Sequence, residues 1–174
     1  INLDTGDAAD GIDQIKNQRV DLAIAARPDD LASSIHFQTI ATVPLAIVAP
    51  NINCSVKQAW QAEAIDWADL PIILPEHGVA RKRFEQWFRQ KHAARPNVYA
   101  QVSGQEALVS MVALGFGIGL SPIVVADNSP VKDLVDLLPD TQIQPFDLGL
   151  CCFKRNLGDP VVAAFLSMAP NESP

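Results

Sequence analysis

"EALVSMVALGFGIGLSP", residues 106–122, sets three glycines at alternate positions inside an almost unbroken apolar run. It can be read as a membrane span, a phosphate-cradling loop or the inside of a soluble fold. A span needs roughly 18 to 20 consecutive apolar residues, and this run is shorter and interrupted by its glycines and Ser110. A dinucleotide fingerprint needs a strand first, then glycines opening a helix whose N-terminus meets phosphate. Here the helical pattern comes first, and Gly115, Gly117 and Gly119 close it with the wrong spacing. What remains is a buried helix over residues 104–114 running into the strand "GIGLSP". Gly115 is expected to end that helix in the left-handed conformation. The other glycines are expected where backbones approach closely.

Outward from this core, strands and helices alternate. "INLDT" reads as a short strand, and Asp7 as the N-cap of a helix in "AADGIDQIKNQ", weakened by Gly11. "VDLAIAA" and "TVPLAIVAP" read as buried strands, "PIILP" and "NVYAQVS" as shorter ones. Helices are expected at residues 55–61, in "EHGVARKRFEQWFRQKHA" and over residues 159–168, where Pro160 suits the first helical position. The Asp/Asn/Pro-rich stretch after residue 122 reads as a connection, and "IQPFDLGLCCFKR" as a strand pair. Such alternation predicts an α/β fold with a parallel or mixed sheet. The chain crosses twice between two groups of elements, near residues 42–50 and 145–153. This predicts one lobe of residues 1–46 with 147–174 and a second of 47–146, hinged over a cleft.

Composition agrees with a globular chain: 48% of the 174 residues are hydrophobic and 6% aromatic. A formal net charge of −7 repels nucleic-acid phosphate and anionic lipid, so these residues are not expected to bind DNA or a membrane. Three cysteines, two of them adjacent, make no disulfide framework or zinc spacing and read as buried hydrophobes of a cytoplasmic protein. No metal or cofactor is expected. His36, His77 and His92 have no evident acid–base partner, and no nucleophile motif surrounds Ser121. The chain is not expected to be an enzyme.

Ligand-holding features are clearer. Six of the thirteen Lys and Arg residues fall between Arg81 and Arg95. In that helix Ala80, Phe84, Trp87 and Phe88 make one apolar stripe. Its start, at His77, Gly78 and Val79, offers unpaired N–H groups suited to a carboxylate. "TGDAAD" and "SGQEA" read as two further helix starts, with Ser103 a cap and Gln105 a possible amide donor.

Taken together, "DTGDAADGIDQI", "VDLAIAARPD", "RKRFEQWFR" and "EALVSMVALGFGIGLSP" resemble the effector-binding domain of LysR-type transcriptional regulators. The resemblance covers essentially the whole chain. It implies a two-lobed fold like type II periplasmic binding proteins, with an effector in the cleft. It also implies a cytoplasmic regulator that self-associates as dimer and tetramer and meets promoter DNA through an N-terminal winged helix-turn-helix not in this chain. Relative to the family pattern, the first lobe lacks an initial strand and helix. "TGDAAD" and "W.DLP…ARKRFEQWF" favour the branch activating isoleucine–valine biosynthesis, whose effectors are 2-acetolactate and 2-aceto-2-hydroxybutyrate. Carried over by position, the effector residues are Thr5, Gly6, Asp7, Ala26 and Arg27 in the first lobe. In the second they are His77, Gly78, Val79, Ser103, Gly104 and Gln105, with Arg81 as a further carboxylate ligand. The competing expectation is a transporter's solute-binding protein of the same architecture.

Overall fold

The computed structural model describes residues 1–92, 95–140 and 142–170. They form two compact units, Ile1–Val43 with Phe146–Pro174, and Pro44–Pro145. The chain therefore passes between units at Val43/Pro44 and again at Pro145/Phe146.

Unit 1 contains α1 (Gly11–Lys16), β1 (Ala23–Ala26) and β2 (Ile35–Val43). Its strand β8 (Phe146–Phe153) and helix α6 (Pro160–Met168) come from the end of the chain. The sheet order is β1-β8-β2, with β8 antiparallel to both neighbours. Ile12 and Ile15 of α1 pack on Ala25, Ile35 and Cys151 to make the core. Asp159 caps α6, its carboxylate accepting from the N–H groups of Val161 (2.8 Å) and Val162 (3.2 Å).

Unit 2 contains β3 (Leu45–Pro50), α2 (Ser55–Trp60), β4 (Pro71–Pro75), α3 (Gly78–Lys91) and β5 (Asn97–Val102). It continues with α4 (Gln105–Ala113), β6 (Gly119–Pro122), α5 (Ile123–Asn128) and β7 (Val135–Pro139). β3 lies between β6 and β7 and is antiparallel to both. β4 and β5 pair in parallel, and a parallel bridge between Ile72 and Ile118 connects β4 to the entry of β6. The result is the expected mixed sheet. The core gathers Val48, Ile73, Leu108, Val109 and Val112. Along α3, Ala80, Phe84, Trp87 and Phe88 are buried, as their helical spacing requires.

The glycine-rich run behaves as a core element. Gly115 has φ +81°; its N–H donates to the Val112 carbonyl (2.8 Å), and the Phe116 N–H reaches Met111 (3.2 Å). This pair of bonds is the αL helix stop that glycine alone adopts without strain. A β-carbon on Gly117 would lie 2.7 Å from the Pro71 carbonyl oxygen, and one on Gly119 would lie 3.0 Å from the Ile73 carbonyl oxygen and 2.7 Å from the Leu108 side chain. Close backbone approach, not ligand binding, accounts for these two.

Several elements differ from the sequence reading. "INLDT" forms no strand: among the described residues no strand pairs with it to satisfy its backbone groups, and Ile1 and Leu3 stand exposed. "TVPLAIVAP" is not one strand. It divides at Pro44, which lacks an N–H for a ladder, into the end of β2 and the whole of β3. The stretch read as a connection contains α5 and β7, the latter held by pairing with β3. "IQPFDLGLCCFKR" supplies one strand, β8, which pairs with β1 and β2 from far earlier in the chain.

Candidate functional site

Parallel pairing of β4 and β5 sets Leu74 beside Gln101 and Pro75 beside Val102. Both strands therefore end at the same edge, and each feeds a helix there: β4 leads to α3 and β5 to α4. Carboxyl ends of parallel strands are where α/β folds gather ligands, because helix N-termini with unpaired amides collect there.

His77 is the N-cap of α3 in extended conformation, and its side chain makes no capping hydrogen bond. Gly78 follows at φ +91°, and Val79 and Ala80 are buried beneath the turn. No acidic residue lies in the first turn of α3, so its N-terminal charge is not cancelled locally. At α4 the cap position falls on Gly104 (φ +88°), one residue after Ser103. Helix α4 begins one residue later than a Ser103 cap requires, so the cap position has no side chain to make a capping bond. A β-carbon on Gly104 would meet nothing within 4 Å, so this backbone is open to an approaching group. Gln105 Oε1 is buried and has no hydrogen-bond partner among the described residues. The two starts are tied together, since the Glu76 N–H donates to the Val102 carbonyl (3.0 Å).

The "TGDAAD" segment is built differently from its sequence reading. Asp7 does not cap a helix. Its carboxylate accepts from the Ala9 N–H (2.8 Å) and its carbonyl from the Asp10 N–H (3.0 Å), which makes a side-chain-closed turn. Helix α1 starts only at Gly11. Thr5 and Gly6 precede that turn as exposed coil. The turn reaches the end of β1, where the Ala26 N–H donates to the Ala8 carbonyl (2.9 Å). Next to it the Arg27 N–H donates to Asp147 (2.8 Å), and the guanidinium lies 5.6 Å from the Phe37 ring centre. Within unit 1 the structure thus brings Asp7, Ala26 and Arg27 into one neighbourhood. Within unit 2 it does the same for His77, Gly78, Val79, Ser103, Gly104 and Gln105.

Arg81 is engaged inside unit 2. Its Nη1 donates to the carbonyls of Pro75 (3.1 Å) and Glu76 (3.0 Å) and to Gln101 Oε1 (2.8 Å). Its Nε meets Glu85 at 2.9 Å. Only the i,i+4 pairing with Glu85 is visible in sequence; the other partners need the β4–β5 pairing to be known first.

Elsewhere in the chain several charged and thiol groups are buried or engaged by neighbours. Asp140 accepts hydrogen bonds from Lys91, the Gln142 N–H (2.9 Å) and Trp87 Nε1 (3.1 Å). The Lys91 bond is the chief cause holding its carboxyl down at about 2. His92 stacks on Trp67 at 4.0 Å, and its pKa is lowered by burial first and by Lys91 second. Burial pushes the Cys151 thiol up to about 12, with Cys152 beside it adding to the shift. Among the described residues no cluster of three or more His, Cys, Asp or Glu could hold a metal ion. None of the described helices is long and apolar enough to cross a membrane.

Two α/β units with helix starts gathered at strand ends define a ligand-binding domain of the two-lobed, periplasmic-binding-protein-like class. The LysR substrate binding domain profile matches residues 1–173, and the chain belongs to that family. It is 44% identical over 169 residues to the HTH-type transcriptional activator IlvY of Haemophilus influenzae, covering 97% of this chain and 58% of that protein. To the HTH-type transcriptional regulator IlvY of Escherichia coli it is 40% identical over 174 residues, covering 98% and 59%. The chain thus spans less than two thirds of these relatives. The effector binding domain of QuiR, solved in complex with shikimate, superposes with TM-score 0.70 at 21% identity, covering 91% of this chain and 74% of that one. At that identity the likeness is one of fold.

Proposed function

We propose that this chain is the effector-sensing domain of a LysR-type activator of isoleucine–valine biosynthesis, and that it is not an enzyme. The effector is a small organic carboxylate, 2-acetolactate or 2-aceto-2-hydroxybutyrate. Promoter DNA is contacted by a separate N-terminal domain, and the working form is a cytoplasmic dimer or tetramer. No cofactor takes part. The 44% identity to an IlvY activator supports this branch of the family.

The carrying observation is the pair of helix starts, at Gly78 and Gly104, side by side at the ends of β4 and β5. Their amides offer a carboxylate several donors without the desolvation cost of a buried cation. Gln105 Oε1, buried and without a partner among the described residues, would accept from the tertiary hydroxyl that both acetohydroxy acids carry. In unit 1, Thr5, Gly6, Asp7, Ala26 and Arg27 supply the remaining contacts. Asp7 faces a carboxylate poorly and is assigned to a ligand hydroxyl. Binding changes promoter contacts only through unequal affinity for two arrangements of the protein.

Calorimetric and thermal-shift titration of the intact protein with 2-acetolactate tests the reading. Binding with an upward melting shift is expected, and Gly78→Glu should abolish both through bulk and like charge. Neither heat nor stabilisation at millimolar ligand in the wild type refutes it.

A further inference from the structure

We infer that Arg81 is a positioning residue that sets the spacing between the α3 and α4 starts, rather than a ligand for the effector carboxylate. Arg81 lies in the first turn of α3, and its Nη1 turns back to the Pro75 and Glu76 carbonyls at the end of β4. The same nitrogen crosses to Gln101 Oε1 on β5, two residues before Ser103. One planar group therefore bolts the strand end before His77–Gly78 to the strand end before Ser103–Gly104. The Glu76 N–H to Val102 bond ties the same edge. The two N–H groups of Nη1 are shared among its three acceptors, while Nε donates to Glu85 (2.9 Å). An ammonium presents its donors from a single point and cannot serve the strand-end acceptors and Glu85 together. Pairing with Glu85 also offsets the cation, which leaves the amides as the anion-facing groups.

The inference rests on the proposed effector site only for its effect on affinity; its structural half is independent of any ligand. Hydrogen exchange of the ligand-free intact protein should show the Glu76 amide, bonded to Val102, and amides 82–84 and 108–110, the first hydrogen-bonded ones of α3 and α4, exchanging at least tenfold faster in Arg81→Gln, with β3 and β7 unchanged. Arg81→Lys should not restore protection. Gln101→Leu, an exposed change that leaves the charge of Arg81 in place, should accelerate amides 108–110 and weaken 2-acetolactate binding at least fivefold. Unchanged exchange at both turns in Arg81→Gln overturns the inference. So does Gln101→Leu binding 2-acetolactate like wild type while Arg81→Gln does not, since that pattern marks direct contact with the carboxylate. Absence of 2-acetolactate binding to the wild type sinks the effector reading and leaves the exchange result to decide this one.

Discussion

Gly11→Ala should destabilise unit 1 by about 1 kcal/mol, although helix propensity alone predicts a gain. Alanine is favoured over glycine in a helix interior by about 1 kcal/mol. At this first helical residue, however, an added β-carbon would lie 2.8 Å from both the Ile24 carbonyl oxygen and the Ala25 β-carbon. These are backbone or near-backbone atoms of β1, so no side chain can swing aside. Helix α1 would have to lift from the sheet, loosening Ile12 and Ile15, which are 5% and 0% exposed. Overpacking of this kind costs about 1–3 kcal/mol, and its midpoint exceeds the propensity gain by about 1 kcal/mol. For a chain of this length the net corresponds to a melting shift of about 2–4 °C downward. Far-UV circular dichroism follows both units, whereas fluorescence of Trp60, Trp67 and Trp87 reports unit 2 alone. The circular dichroism transition should move first. Gly158→Ala is the control, because nothing lies within 4 Å of its β-carbon. A melting temperature raised by Gly11→Ala would refute the reasoning.

Asp159→Ala removes the acceptor of two N–H groups and should cost about 1 kcal/mol, with faster exchange at Val161 and Val162 as the readout. The thiol reagent test should find Cys54 reactive at pH 8. Cys151 and Cys152, buried and raised in pKa, should react only after denaturation; three equally fast thiols would contradict their burial. Acid should expose the Asp140 anchor. Its folded pKa is depressed from 3.8 to about 2, so its stabilisation is complete above about pH 4 and fades as pH falls from there towards 2. Urea unfolding of wild type and Asp140→Asn should therefore differ at pH 6 and converge near pH 2, with the difference on the order of 1 kcal/mol after solvent screening.

Local pattern reached furthest where a residue's role depends on its own neighbours in sequence. The α3 stripe, the αL stop at Gly115, the Asp159-Pro160 start and the buried "PIILP" strand all follow from spacing, capping and φ preference within one or two turns. The helix starts at Gly78 and Gly104 were legible for the same reason. Asp7 was misread because a carboxylate followed by a polar turn can close either a helix or an isolated turn, and the Ala8–Ala26 contact favours the second. Pro44 was misread because a strand that changes sheets looks continuous in hydrophobicity. β7 was missed because "VDLLP" is short and lies in a stretch rich in Asp, Asn and Pro, and β3 supplies the pairing that makes it a strand.

Amino-acid order alone determined the α/β class, the family resemblance and the turns able to offer amides, since these depend on short-range periodicity and backbone preference. Tertiary structure decided which of those turns became neighbours, because strand pairing joins residues some 25 positions apart and sequence carries no local sign of the partner. It also gave Arg81 its role. A guanidinium's duty is set by the acceptors within reach, and Pro75, Glu76 and Gln101 converge on it only once β4 and β5 lie side by side.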